Sequence, residues 1–274
     1  MKHEESILKE KLINVKENNY VLEKQENYFP LALEMMDNIG SLDSELRDEL
    51  IYGILFHWIT GGSFTHQQLE KLLNISLDST HLFYRVCDED EDAVFSRTFS
   101  ALIVALIIYE HRKQSFLSRE TLYETKNKLL EYMKQERDVR GYVEIKGWAH
   151  SAAHTADALD ELVQCDCFNK EDLLEVLSAI RDKMCIGYYV YVDEESERMV
   201  TAVKSTLDRK ILINSEIIDW LQGFSVEPSR NRSRDTYHLK VNIKGFLRSL
   251  YFRLSEQEAS SFIVEKIKEL LKKL

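Results

Sequence analysis

Residues 118–135 read SRETLYETKNKLLEYMKQ, and Leu122, Leu129, Leu130 and Met133 fall on one stripe at helical spacing with Arg, Glu and Lys elsewhere. That period predicts an amphipathic helix, and it recurs along the chain. Leu173, Leu177, Ile180 and Met184 repeat it after Asn169, a residue whose side chain can satisfy the first unpaired amides of a helix. Thr65 with Gln68 and Ser255 with Glu258 have capping-box spacing. Gly40, Gly61, Gly62, Gly141 and Gly223 stand where periodic segments end, as expected of left-handed C-caps. With only 2 Pro and 9 Gly in 274 residues, few breaks are obligatory. Helices are expected near 3–17, 29–38, 43–60, 66–74, 92–112, 119–135, 147–165, 170–185, 194–208, 214–222, 238–254 and 256–273.

Many short-linked helices in series imply antiparallel pairs stacked as a helical-repeat, HEAT/ARM-like α-α superhelix, although no strict repeat period is visible. The expected organisation is one all-α domain, 1–274: a helix and lead-in over 1–26, a main stack over 27–224, a polar surface loop over 225–236 and a C-terminal helical pair over 237–274. Two stretches resist the helical reading. Tyr188 to Val192 is aromatic and β-branched, and Tyr237, Leu239, Val241 and Ile243 alternate with polar neighbours. Neither has an evident pairing partner, so both are read as extended lead-ins or irregular helix starts.

Composition narrows the function classes. A formal charge of −11 and a pI near 5.3 argue against a general binder of nucleic acid or anionic membrane. Ala101 to Tyr109, the longest apolar run, is too short for a membrane span and reads as a buried helix. The charged opening Met1 to Leu12 does not resemble a signal peptide, and four scattered cysteines suit reduced thiols in a cytoplasmic setting. Cys165 and Cys167 lack the spacing of a redox or zinc motif. P-loop, dinucleotide-binding and nucleophile-elbow signatures are missing from the sequence.

The chemistry-bearing stretch begins at Glu136 and runs through Arg137, Asp138, Val139, Arg140, Gly141 and Tyr142, then Gly147 to Asp157. On a helix over 147–165, His150, His154, Asp157 and Glu161 would share one face. Two His at i and i+4 with a carboxylate is a spacing that divalent metal sites use, and neutral imidazoles with a hard oxygen suit zinc, manganese or iron. The same face could instead bind a ligand without metal, or be a solvated stripe. Arg97 feeds directly into the apolar run, so its guanidinium requires an acid or a ligand. Asp138, Glu136 and Asp157 are the candidates for an ion pair. An anion clamp would add Arg140 or Arg248 as second arm. The acidic starts at Ser41 to Glu49 and Asp88 to Asp92 fit the helix macrodipole.

These same residues resemble a bacterial family known only as a domain of unknown function, DUF2785. The likeness rests on Arg137–Tyr142 with Lys146–Leu159, supported by Leu46–Glu49, Val94–Ser100 and Asn242–Tyr251, and spans about Ser41 to Leu254. It implies no reaction. It does imply that Arg47, Arg97, Asp138, Arg140, Trp148, His150, His154, Asp157 and Arg248 belong to shared motifs, which in a superhelix would gather on the concave side.

Three functions remain open on this reading. The first is a binding protein for a small anionic molecule or a polar segment of a partner protein, with Arg97, Arg140 and Arg248 fixing negative groups, Trp148 as a wall, and His150 and His154 as donors oriented by Asp157 or Asp138. The second is a metal-dependent hydrolase, with a divalent ion on His150, His154 and Asp157 and with Asp138 or Glu136 as general base. The third is a scaffold in which the motif braces helix against helix.

Overall fold

The computed structural model describes residues 2–22, 27–86, 88, 92–226, 233–255 and 261–274. Among these the chain is all-α apart from one short hairpin. In order the elements are α1 (Lys2–Glu17), α2 (Tyr28–Asp37), a π-helical stretch (Glu45–Tyr52) running into α3 (Gly53–Thr60), α4 (His66–Ser76), α5 (Ala93–Lys113) and α6 (Arg119–Gln135). The hairpin β1 (Tyr142–Val143) and β2 (Gly147–Trp148) follows, then α7 (Ser151–Val163), α8 (Lys170–Met184), α9 (Glu195–Asp208), α10 (Asn214–Gln222), α11 (Arg234–Leu254) and α12 (Ser261–Lys273). The helices sit close to their expected positions because the apolar stripes that predict them are the faces they bury: Leu122, Leu129 and Met133 on α6, and Leu173, Leu177, Ile180 and Met184 on α8.

Two compact units are present, 1–158 and 159–274, with the division falling inside α7. In the first, α5 is the core element and packs against α3 and α4. By length and composition it is the one helix among the described residues able to cross a membrane, but 83% of its most apolar window is buried inside the protein, as in a core helix. In the second unit α9 packs against α8 and α11, and α12 against α10 and α11. Trp220 anchors that core: its indole N–H donates to the Leu177 carbonyl at 2.7 Å, and its ring meets Phe224 edge-on at 5.3 Å.

Caps explain several boundaries. Asn169 accepts from the Asp172 amide at 3.0 Å while Asp172 accepts from the Asn169 amide at 3.0 Å, and Thr65 with Gln68 forms the same reciprocal box. Replacing Asn169 with alanine removes one side of its box, and chemical denaturation should show a loss of about 1 kcal/mol. Glu258, the partner expected for Ser255, lies outside the described residues, as do Pro228, Arg230 and Arg232 of the polar 225–236 stretch.

Four local expectations are corrected. Of the five glycines expected as left-handed caps only Gly62 is left-handed, at +74°; Gly61 and Gly223 end their helices with φ of −87° and −60°, and Gly40 and Gly141 are not in the left-handed region either. The alternating Tyr237–Ile243 stretch is helical, because Ile243 at its end continues with Phe246, Leu247 and Leu250 at helical spacing, and these four bury one face of α11. The motif helix does not begin at residue 147: Gly147 and Trp148 pair with Tyr142 and Val143, and the helix starts at Ser151. The helix expected over 43–60 contains the wide Glu45–Tyr52 stretch, a geometry that is rare and often found at functional sites. Tyr188 to Val192 is neither helix nor strand, and Asn242 fastens it by donating to the Ile186 and Tyr189 carbonyls at 2.9 Å each and accepting from the Tyr191 amide at 3.1 Å.

Candidate functional site

The hairpin sets the site. Tyr142 pairs with Trp148 and Val143 with Gly147, and the pairing continues as the Ala149 and His150 amides donate to the Gly141 and Arg140 carbonyls, each at 2.9 Å. Directly paired residues share a face, so Tyr142 lies on the same side as Trp148. The rings agree. Tyr142 meets Trp148 edge-on at 5.0 Å, Trp148 stacks on His150 at 4.4 Å, and His150 meets His154 edge-on at 5.5 Å. Outer rings are open to solvent, with Tyr142 56% and Trp148 39% exposed, while His150 and His154 are buried.

Ile145, His150 and Gly147 all have positive φ, at 69°, 47° and 80°. Two of these are not glycine, and such conformations persist only where surrounding contacts impose them. Gly147 is required for a second reason: a Cβ there would lie 2.8 Å from the Ser44 Cβ and 2.9 Å from an Arg47 nitrogen.

Arg47 is the strut beneath the hairpin. Wholly buried in the wide helical stretch, it donates to the Ser41 carbonyl at 2.6 Å and to the Lys146 carbonyl at 2.5 Å. Its guanidinium carbon lies 4.3 Å from the Phe95 ring centre and 4.9 Å from that of Phe99, so two aromatic faces help hold a desolvated cation. Asp48 is 2.7 Å from the Arg47 Nε, but those two atoms are not aligned as a hydrogen bond. Burial consequently wins over the ion pair and pushes the Asp48 carboxyl up to about 6, even though the Trp148 amide also favours its charged form.

That shift gives a pH dependence with a fixed sign. The folded chain holds the Asp48 proton more tightly than the unfolded chain, so acidification from about pH 6 towards pH 4 adds stability through this one group. Asp48→Asn removes the contribution. The wild-type melting temperature minus that of the variant should therefore rise as pH falls across that window; a flat difference would contradict the assignment.

Arg97 has met its acid. Its Nε and Nη2 donate to Glu136 at 2.6 and 2.9 Å, and its Nη1 donates to the Tyr84 carbonyl at 3.0 Å. Glu136 also accepts from the Tyr132 hydroxyl at 2.8 Å and the Asp138 amide at 3.0 Å. Of the three acids expected to meet Arg97, Glu136 does so. Every nitrogen of the guanidinium has a protein partner, and both members are 3% exposed.

Asp138 instead holds Arg140, two residues on, through a bidentate contact at 2.9 and 2.6 Å that leaves both side chains partly open. Ser151 at the start of α7 donates to the Asp138 carbonyl. His154 lies 2.9 Å from the Thr98 hydroxyl through its Nδ1, and its ring meets Phe99 edge-on at 5.5 Å. Asp157 is half-buried on α7. His150 precedes the helix in a left-handed conformation with its ring stacked on Trp148, and the His154 amide donates to its carbonyl at 2.9 Å, so the two rings still meet one turn apart. Among the described residues no three His, Cys, Asp or Glu side chains gather as a metal-holding group.

Arg248 lies in the second unit on α11, exposed beside Glu194, Glu195 and Glu197. Cys165, Cys167 and Cys185 are in no disulfide, and burial pushes the Cys185 thiol up to about 11, which makes it a poor nucleophile.

Sequence reasoning missed Arg47 with Asp48 as a strut and Thr98 as the partner of His154. The signal for Arg47 was present: it is flanked by Leu46, Leu50 and Ile51 at spacings that bury one helical face.

No curated protein and no solved structure matches the chain. One family profile does, over residues 82–252, which takes in α5, the hairpin, α7 and most of α11 but begins beyond Leu46–Glu49. The chain belongs to that family, DUF2785, described as a protein of unknown function.

Proposed function

We propose that the chain is a binding protein whose recognition surface is the Arg140, Tyr142, Trp148 and His150 face of the hairpin. The observation that carries this reading is the exposed ring ledge of Tyr142 and Trp148, held in strained backbone over a fully buried strut. Large aromatic surface left open, beside a guanidinium, is costly to keep unless something covers it. Flat rings with a cation and an imidazole suit a carboxylate or phosphate carried on a small molecule or on a polar segment of a partner protein. Arg140 can exchange Asp138 for such a group because the pair is partly solvated. Arg97, fully engaged by Glu136 and Tyr84, serves as bracing, as does Arg47. The HEAT/ARM-like superhelix belongs to the same proposal and is supported by the serial helix pairs inside each unit.

Trp148 supplies the readout. Trp58 is 1% exposed and Trp220 is 4% exposed, so quenching of tryptophan fluorescence by acrylamide reports chiefly on Trp148. A bound ligand should shield it and raise the melting midpoint by mass action. An anion-bearing library of nucleotides, sugar phosphates and dicarboxylates is the first screen.

A further inference from the structure

Asp48 lies where the hairpin meets the Glu45–Tyr52 stretch. A Cβ on Gly147 would stand 3.0 Å from its Oδ2, and the Trp148 amide reaches the same carboxyl. Arg47, 2.7 Å away, is itself committed to the Ser41 and Lys146 carbonyls. The charged groups around Asp48 on its own stretch are Arg47 and Glu49. On the hairpin the nearest in the chain is Lys146, whose ammonium is held at 2.6 Å by Asp92 ahead of α5, and α5 turns the Phe95 and Phe99 rings to Arg47. With two residues in each strand the hairpin is marginal by itself, and its outer side is open, Ile145 being 88% exposed. Its closure therefore depends on the seat beneath it.

We propose that Asp48 makes the seating of this hairpin proton-linked: uptake of a proton by its carboxyl favours the hairpin closed onto the Glu45–Tyr52 stretch, and release of the proton favours opening. The cause is desolvation. Closure takes the carboxyl out of water, which costs more for the charged form than for the neutral acid, and opening returns the water. A group that holds its proton more tightly in the closed form shifts the equilibrium towards that form as pH falls. With the carboxyl at about 6 when covered and at its ordinary 3.8 when open, the ratio of closed to open hairpin rises about tenfold from pH 7 to pH 5. The consequence for recognition, a face better ordered in mild acid, rests on the hairpin face being the binding surface; the proton link itself does not.

The test is hydrogen exchange read by NMR on the full chain without ligand, at pH 7 and pH 5, each rate divided by the free-peptide rate at that pH. Protection of the Trp148, Ala149 and His150 amides should rise about tenfold in the wild type and less than about twofold in Asp48→Asn, which keeps the size of the side chain and an oxygen for the Trp148 amide. Amides of α8, in the second unit, should respond alike in the two proteins. In the wild type alone, the Asp48 carboxyl carbon and the Trp148 amide nitrogen should titrate with one midpoint near 6, a reading that stands even if the variant fails to fold. Equal rises in the two proteins, no rise in the wild type, a difference at α8 as large as that at the hairpin, or separate midpoints would overturn the proposal. Because no ligand enters these measurements, their failure leaves the hairpin face as recognition surface untouched, and an empty ligand screen leaves the proton link untouched.

Discussion

Replacing Arg97 with alanine should lower stability by about 3–5 kcal/mol, because it leaves the buried Glu136 carboxylate without the cation that neutralises it. The same change strands the Tyr84 carbonyl. For a domain of this size that corresponds to a fall of roughly 10 °C in the melting midpoint. Glu136→Ala should cost a similar amount by stranding the guanidinium. The double replacement Arg97→Met with Glu136→Leu should cost much less than the two single changes added together, since it removes both charges. Melting by circular dichroism across the four proteins checks this, and simple additivity would show that the pair is not coupled.

Arg47→Ala should have the second large effect, again about 3–5 kcal/mol, for a different mixture of reasons. Two carbonyls, of Ser41 and Lys146, lose their donor, Asp48 loses its cation, and a gap opens between Phe95 and Phe99. Lysine should not rescue it. A single ammonium cannot reach both carbonyls in the fixed fork that guanidinium provides, nor lie flat between two rings. Hydrogen exchange should also report locally: the Trp148 and His150 amides should exchange faster in Arg47→Lys, since the strut beneath them is gone. Unchanged protection there, with stability intact, would remove Arg47 from the account.

The helices were legible because each buries one stripe, and a stripe of Leu, Ile and Met at helical spacing has few other uses. The hairpin was not legible. Its strands are two residues each, shorter than any period-two signal, and its register depends on Gly147 fitting over Ser44 and Arg47, a contact about 100 residues away in the chain. Reading through it started the helix at residue 147, whereas the helix starts at Ser151 and His150 stands before it in a left-handed conformation, its ring in contact with both Trp148 and His154. The buried state of Arg97 and its need for an acid followed from its apolar surroundings. Which acid answered did not, because Glu136 lies just past the end of α6, far from Arg97 along the chain, and nothing local in the sequence joins the two.

Trp148→Ala separates recognition from bracing most directly. Trp148 stands on the open side of the hairpin, so the variant should melt within about 2 °C of the wild type, while any ligand from the anion-bearing library that stabilises the wild type should lose its effect on the variant at least tenfold in affinity. A fall in melting midpoint as large as that of Arg97→Ala, a ligand shift unchanged in the variant, or a library in which no member shields Trp148 from acrylamide would contradict the hairpin face as the recognition surface.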